Sequence, residues 1–318
     1  MNYFNQYYLS YDLTFGYSRD EIINTQPPAD EPADFAEFWQ NNYQEAMDCG
    51  ASDIHCAEIW SPNKEMKIFE VDFISLGGIR IGGWICQPEN PKGGILRCHG
   101  YGNPGEPVLD ENFTVFSFCM RGMGRSKTPM APWQPAAHII HNLYDREHYL
   151  LRSAAADIWL ATSVFLKLYP EYKENLNYQG GSFAGGMGLL TVPWDKRFRT
   201  AYFDVPALGN HPLHAQFKGP EGSLEVLRSH CRKHPEVLEI LRYFDSAYGA
   251  RYLRIPSLVT PALFDPTVIP VTQFAAVNAI PASVRQMIIW PAGHFGTPVN
   301  GVVEKDIETA KYKLASLT

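Results

Sequence analysis

Apolar and polar positions follow two different rhythms along this chain. KIFEVDFIS (67–75) alternates them, and IRIGGWICQP (79–88) follows after a Gly-Gly turn, which predicts a hairpin opening a sheet. GGILRCHGYG (93–102) and FTVFSFCMRGMG (113–124) are instead short apolar runs that end in glycine-rich loops. Such runs predict buried parallel strands that deliver loops to one edge of the sheet. Helical spacing appears in PADEPADFAEFWQNNYQEAM (28–47), with Phe35, Phe38, Trp39 and Tyr43 on one face after a Pro/Asp lead-in. A longer helix over about 147–169 carries Leu151, Ala154, Ile158, Ala161, Phe165 and Leu168. It leads to a short strand at 175–179, a glycine turn, and a further helix from about 184. RTAYFDVPA (199–207), PSLVTPALFD (256–265) and VRQMIIWPAGH (284–294) read as the remaining strands. Between them, about 208–250 is polar and helical in pattern, which suits an insertion covering the sheet edge. Strand and helix alternate over the whole length, so the expected fold is α/β, one doubly wound and mainly parallel sheet in a single domain over 1–318.

Composition narrows the setting. The 318 residues are 45% apolar and carry a formal charge of −7 with no basic block, so nucleic acid is not an expected partner. No run approaches a membrane span, and MNYFNQYYLSYDLTFGYSRDE lacks the pattern of a secretory leader, so the expectation is a cytoplasmic protein without a membrane partner. The six cysteines, at 49, 56, 86, 98, 119 and 231, form no C-x-x-C pair, and buried thiols account for them better than disulfides or zinc.

The candidate chemistry centres on QGGSFAGG (179–186). It matches the Gly-x-Ser-x-Gly turn of an α/β-hydrolase except at Ala184, where the pattern has glycine. A serine hydroxyl needs an imidazole to take its proton and a carboxylate to hold that imidazole. Chain order supplies both: Asp265 follows PSLVTPALF, and His294 follows VRQMIIWPAG, in the order serine, acid, histidine. Ser182, Asp265 and His294 are therefore the expected triad. HGYG (99–102), directly after a strand, is the expected second half of an oxyanion hole, with the N–H groups of Tyr101 and Phe183 as donors. His99 is expected to be structural.

These residues resemble a known family, the acetyl xylan esterases and cephalosporin-C deacetylases, over most of the chain. ADFAEFWQ (33–40) is similar to that family's N-terminal helix, HGYG to its oxyanion loop, and MRGMGRS (120–126) to its Arg-Gly-Gln-Gly-x-Ser loop. YLLRSAAADIWLA (149–161), GGSFAGG, FDVPAL (203–208), FDPTVIPVTQFAAVNAI (264–280) and GHFG (293–296) resemble its helix before the nucleophile, its elbow, its insertion lead-in, its acid segment and its histidine segment. The resemblance implies Ser182 as nucleophile, His294 as general base and acid, and Asp265 as orienting carboxylate. It also implies a cofactor-free esterase acting on a small-molecule ester such as an acetylated saccharide, and a homo-oligomer, commonly a hexamer. The departures cluster at the site: Phe183 and Met123 stand where the family has glutamine, Ala184 where it has glycine, and Phe295 where it has glutamate. Met123 and Phe295 are thereby expected to contact substrate. A catalytically silent binding protein of the same fold and a short-peptide hydrolase are the alternative readings.

HIIHNLYDREH (138–148) holds three histidines but lacks a His-Glu-x-x-His signature, so the expectation is a polar loop over the cleft and no metal. Arg121 is expected to be buried against a carboxylate near the elbow.

Overall fold

The computed structural model describes residues 12–102, 105–219, 222–291, 293–294 and 302–317. Among the described residues nine strands form one sheet: β1 (Ser52–Ile59), β2 (Met66–Ser75), β3 (Ile79–Pro88), β4 (Gly94–Cys98), β5 (Thr114–Phe118), β6 (Leu176–Gly181), β7 (Thr200–Asp204), β8 (Ser257–Thr260) and β9 (Arg285–Met287). Their spatial order is β1-β2-β3-β5-β4-β6-β7-β8-β9. The β1–β2, β2–β3 and β3–β5 pairs are antiparallel, and every pair from β5 to β9 is parallel. This is the mainly parallel sheet that the alternation of strands and helices predicts, and the α/β-hydrolase fold that the serine turn points to. β2 and β3 form the expected hairpin around Leu76–Gly78, where Gly77 and Gly78 take positive φ.

Helices cover both faces. The helix Leu150–Leu168 is buried nearly all round, with Trp159 wholly inside. Phe35–Cys49 packs beside it, with the rings of Trp39 and Tyr43 edge-on to Trp159, and the Trp39 indole donates to the Tyr243 carbonyl at 2.8 Å. The expected insertion is helical, with Ser223–Lys233, Val237–Leu241 and Ser246–Ala250 as its longer pieces. On the other face, Val302–Ala315 lies against β7 and β8, burying Ile307, Ala310 and Leu314.

β1 was not legible in the sequence. Its residues SDIHCAEI show no apolar face, and nearly all are exposed at the sheet edge. Asp53 and Glu58 there present charge where an unpaired strand edge would otherwise invite pairing with another chain. All six cysteines are free thiols; Cys86, Cys98, Cys119 and Cys231 are buried as expected, whereas Cys49, at the end of its helix, and Cys56, on the edge strand, are exposed. No described helix is long and apolar enough to cross a membrane.

Candidate active site

The parallel strands end along one edge, and the candidate residues collect there. β6 runs directly into the helix Phe183–Thr191, and Ser182 forms the corner between them with φ 55° and ψ −122°. A non-glycine residue rarely adopts that backbone, and it persists only where the surroundings over-determine it. Here they do: the Ser182 N–H donates to the Asp204 carbonyl (2.9 Å), and the Ser182 carbonyl accepts from Gly186 (3.1 Å) and Ala207 (3.0 Å).

The glycines around the corner are set by close backbone approach. A Cβ on Gly180 would lie 2.6 Å from the Ala184 carbonyl oxygen, and one on Gly186 would lie 2.2 Å from that of Ala207. Ala184 has no such conflict. Its methyl is buried in the core, and its carbonyl accepts from the Tyr178 hydroxyl at 2.7 Å. The alanine that departs from the motif thus occupies the tolerant position.

Asp265 and His294 come together after β8 and β9. Asp265 is fully buried, and its Oδ2 lies 2.6 Å from His294 Nδ1. An ionised carboxylate only accepts hydrogen bonds, so Nδ1 carries the proton and a neutral ring leaves Nε2 unprotonated. Three more donors hold the carboxylate: the N–H groups of Thr267 (2.8 Å) and Val268 (2.9 Å), and Gln273 Nε2 (3.0 Å). Gln273 is itself buried; it also donates to the Val268 carbonyl (2.6 Å) and accepts from the Ala262 N–H (2.9 Å). Sequence reasoning passed over Gln273, although an amide near the start of the largely apolar helix PVTQFAAVNA was the available signal.

Ser182 and His294 line two cavities in common. The smaller, about 230 Å³, is walled by Tyr101, Phe183, Ala207, Leu224 and Thr267 and is largely apolar. The larger, about 560 Å³, lies towards the C-terminal helix and is bordered by Arg97, Glu106, Gln179, Tyr202, Asp204 and Lys311. Burial raises the Asp204 carboxyl above its usual range, while the Thr260 hydroxyl donates to it.

Tyr101 and Phe183 stand side by side, their rings stacked with centroids 4.0 Å apart and 17° between planes. Met123 is buried, but it is not among the described residues that line either cavity. Phe295 lies outside the described residues.

Arg121 is buried, with Nε and Nη2 2.8 and 2.6 Å from the two oxygens of Asp157, which also accepts from the Ser75 hydroxyl. His99 is structural: its Nε2 accepts the Met120 N–H at 2.9 Å, so Nδ1 carries the proton, and burial lowers its pKa. One expectation is overturned. HIIHNLYDREH is not simply a polar loop over the cleft, because His138 has no exposed surface and bonds to the Tyr101 hydroxyl and the Arg121 carbonyl. Only the later positions, such as Asp145 and His148, face solvent. His211 and His214 are buried too, and His214 accepts from Arg228 at 3.0 Å. Among the described residues no group of three or more histidines, cysteines and carboxylates could hold a metal ion.

Comparison with known proteins identifies the family and supports the fold. The model of the acetyl xylan esterase (AXE1) family matches residues 13–305. An acetyl xylan esterase from Paenibacillus sp. R4 superposes with a TM-score of 0.79 at 20% identity, covering 94% of this chain and 99% of its own. Acetyl xylan esterase 1 from Thermoanaerobacterium sp. JW/SL YS485 does so with 0.78 at 22%, covering 94% and 98%. An acylaminoacyl peptidase from Pyrococcus horikoshii shares the fold more distantly, with a TM-score of 0.60 at 15% identity over 87% of this chain and 44% of its own. Because that family model matches nearly all of its length, this chain belongs to the acetyl xylan esterase family, a family of carbohydrate esterases.

Proposed function

We propose that the protein is a serine carboxylesterase that removes a small acyl group, acetyl above all, from a carbohydrate or similar alcohol. The observation that carries this reading is the strained Ser182 sharing its cavities with a histidine that is fixed by a buried carboxylate. Ser182 Oγ attacks the ester carbonyl while His294 Nε2 takes its proton, and Asp265 steadies the imidazolium that forms. The tetrahedral oxyanion accepts from the N–H groups of Tyr101 and Phe183. Phe183 is the first residue of its helix, so its N–H has no intrahelical acceptor. The alcohol leaves with the proton from His294, and water activated by the same nitrogen then frees the acid.

The two cavities divide the substrate. The small apolar one suits an acyl group, and the larger one, bordered by charged and hydroxyl side chains, suits a hydroxylated alcohol. No step calls for a cofactor. We also propose assembly into a homo-oligomer, a hexamer by family resemblance. Light scattering is expected to give six chains, and a single chain would contradict it.

Hydrolysis of p-nitrophenyl acetate and of acetylated xylo-oligosaccharides by wild type and Ser182→Ala tests the mechanism. Wild type is expected to turn over both, and the variant to lose at least about 10³-fold in kcat. Turnover that survives the substitution would sink it.

A further inference from the structure

Two loops and the start of a helix meet at the elbow. Tyr101 belongs to the loop after β4, Phe183 to the helix after β6, and Arg121 to the loop after β5. These strands are neighbours in the order β5-β4-β6, and Cys98 and Gly180 are register partners, so Tyr101 and Phe183 each sit three residues beyond a shared rung. Their rings stack with centroids 4.0 Å apart. His138 closes the group edge-on, with its centroid 5.5 Å from Tyr101 and 6.0 Å from Phe183. Its Nε2 lies 3.1 Å from the Arg121 carbonyl and its Nδ1 2.8 Å from the Tyr101 hydroxyl.

The bonding directions follow from these contacts. A carbonyl only accepts, so Nε2 bears the proton, and Nδ1 accepts from the tyrosine hydroxyl. Burial holds the His138 pKa down to about 4, which keeps the Nδ1 lone pair available at neutral pH. Arg121 is itself anchored by Asp157, so the far end of the chain of contacts is fixed.

We infer that His138 is a positioning residue for the oxyanion hole. Through the Tyr101 hydroxyl it holds that ring against Phe183, and so couples into one unit two backbone N–H groups that come from different strands. This rests on the esterase reading, since it presumes that those N–H groups receive the oxyanion. It also explains what an aromatic side chain does at Phe183, where a flat ring completes the stack. Misplacing an oxyanion donor weakens an interaction made most strongly in the transition state, so the loss falls on kcat.

The test is a double-mutant cycle with Tyr101→Phe and His138→Ala in the full chain. It measures kcat and KM for p-nitrophenyl acetate per active site titrated by a fluorophosphonate. Tyr101→Phe removes only the hydroxyl and keeps the stack, so it remains informative should His138→Ala fold poorly. Each single variant is expected to lower kcat about tenfold, on the scale of one lost hydrogen bond, with KM within about twofold. The double variant should be no worse than the poorer single, because both break the same link. Single variants with kcat within about twofold of wild type, or strictly additive losses, would overturn the inference while leaving the esterase reading intact. A wild type without Ser182-dependent turnover would overturn that reading and this inference together.

Discussion

Ser182 sits in a backbone conformation that costs on the order of 1–3 kcal/mol, and the glycines on either side decide whether the turn can close. Gly186 tests this account, because two effects of replacing it have opposite sign. Alanine in a helix stabilises by about 1 kcal/mol over glycine, but its Cβ would meet the Ala207 carbonyl at 2.2 Å and force the backbone apart. The clash wins, so Gly186→Ala is expected to lower stability by about 2 kcal/mol or more, read as a shifted urea midpoint. Unchanged stability would show that the close approach is not real.

His138 supplies a second residue-level prediction. Its folded pKa, about 4, lies below the ordinary 6.5, first through burial. His99, His141 and Arg121 also act on it in that direction, against the Arg121 carbonyl. The unfolded chain therefore binds this proton first as pH falls. The stability tied to a neutral His138 is complete above pH 6.5 and declines down to about 4, by roughly 3 kcal/mol in all. His99 and His214 are depressed as well, so the quantity to measure is wild type minus His138→Gln. That difference should fall by about 3 kcal/mol from pH 7 to pH 4, and a flat difference would contradict the buried neutral ring.

At the scale of elements, the sequence disclosed what periodicity and chain order can disclose. The hairpin, the parallel strands, the long helix before the elbow and the placement of Ser182, Asp265 and His294 after β6, β8 and β9 were legible because apolar runs and glycine loops mark them. The edge strand β1 was not, since an exposed strand need have no apolar face. Gln273 and His138 were missed for a related reason. A polar residue buried to satisfy another polar group carries no periodic signature, and its partner is distant in sequence: 37 residues separate His138 from Tyr101. Phe183 was legible as a departure, but not its packing on Tyr101.

The insertion helix Ser223–Lys233 contributes Leu224 to the small cavity. Shortening that side chain should enlarge the space assigned to the acyl group. Leu224→Ala is expected to lower the preference for p-nitrophenyl acetate over the butyrate ester by about tenfold, at a stability cost of about 2–4 kcal/mol. An unchanged preference would move the acyl group elsewhere.

For the whole molecule, the sheet acts as a frame that brings loops from β4, β5, β6, β8 and β9 to one edge. At 20–22% identity to the two acetyl xylan esterases the fold persists over nearly the full length of each chain. The central claim is that this frame activates one serine. Intact mass spectrometry after treatment with a fluorophosphonate tests it most directly. The account predicts one adduct per chain, mapped to the peptide bearing Ser182, absent in Ser182→Ala, and formed at least about 10²-fold more slowly in His294→Ala. No adduct on the wild type, or an adduct on another residue, would contradict it.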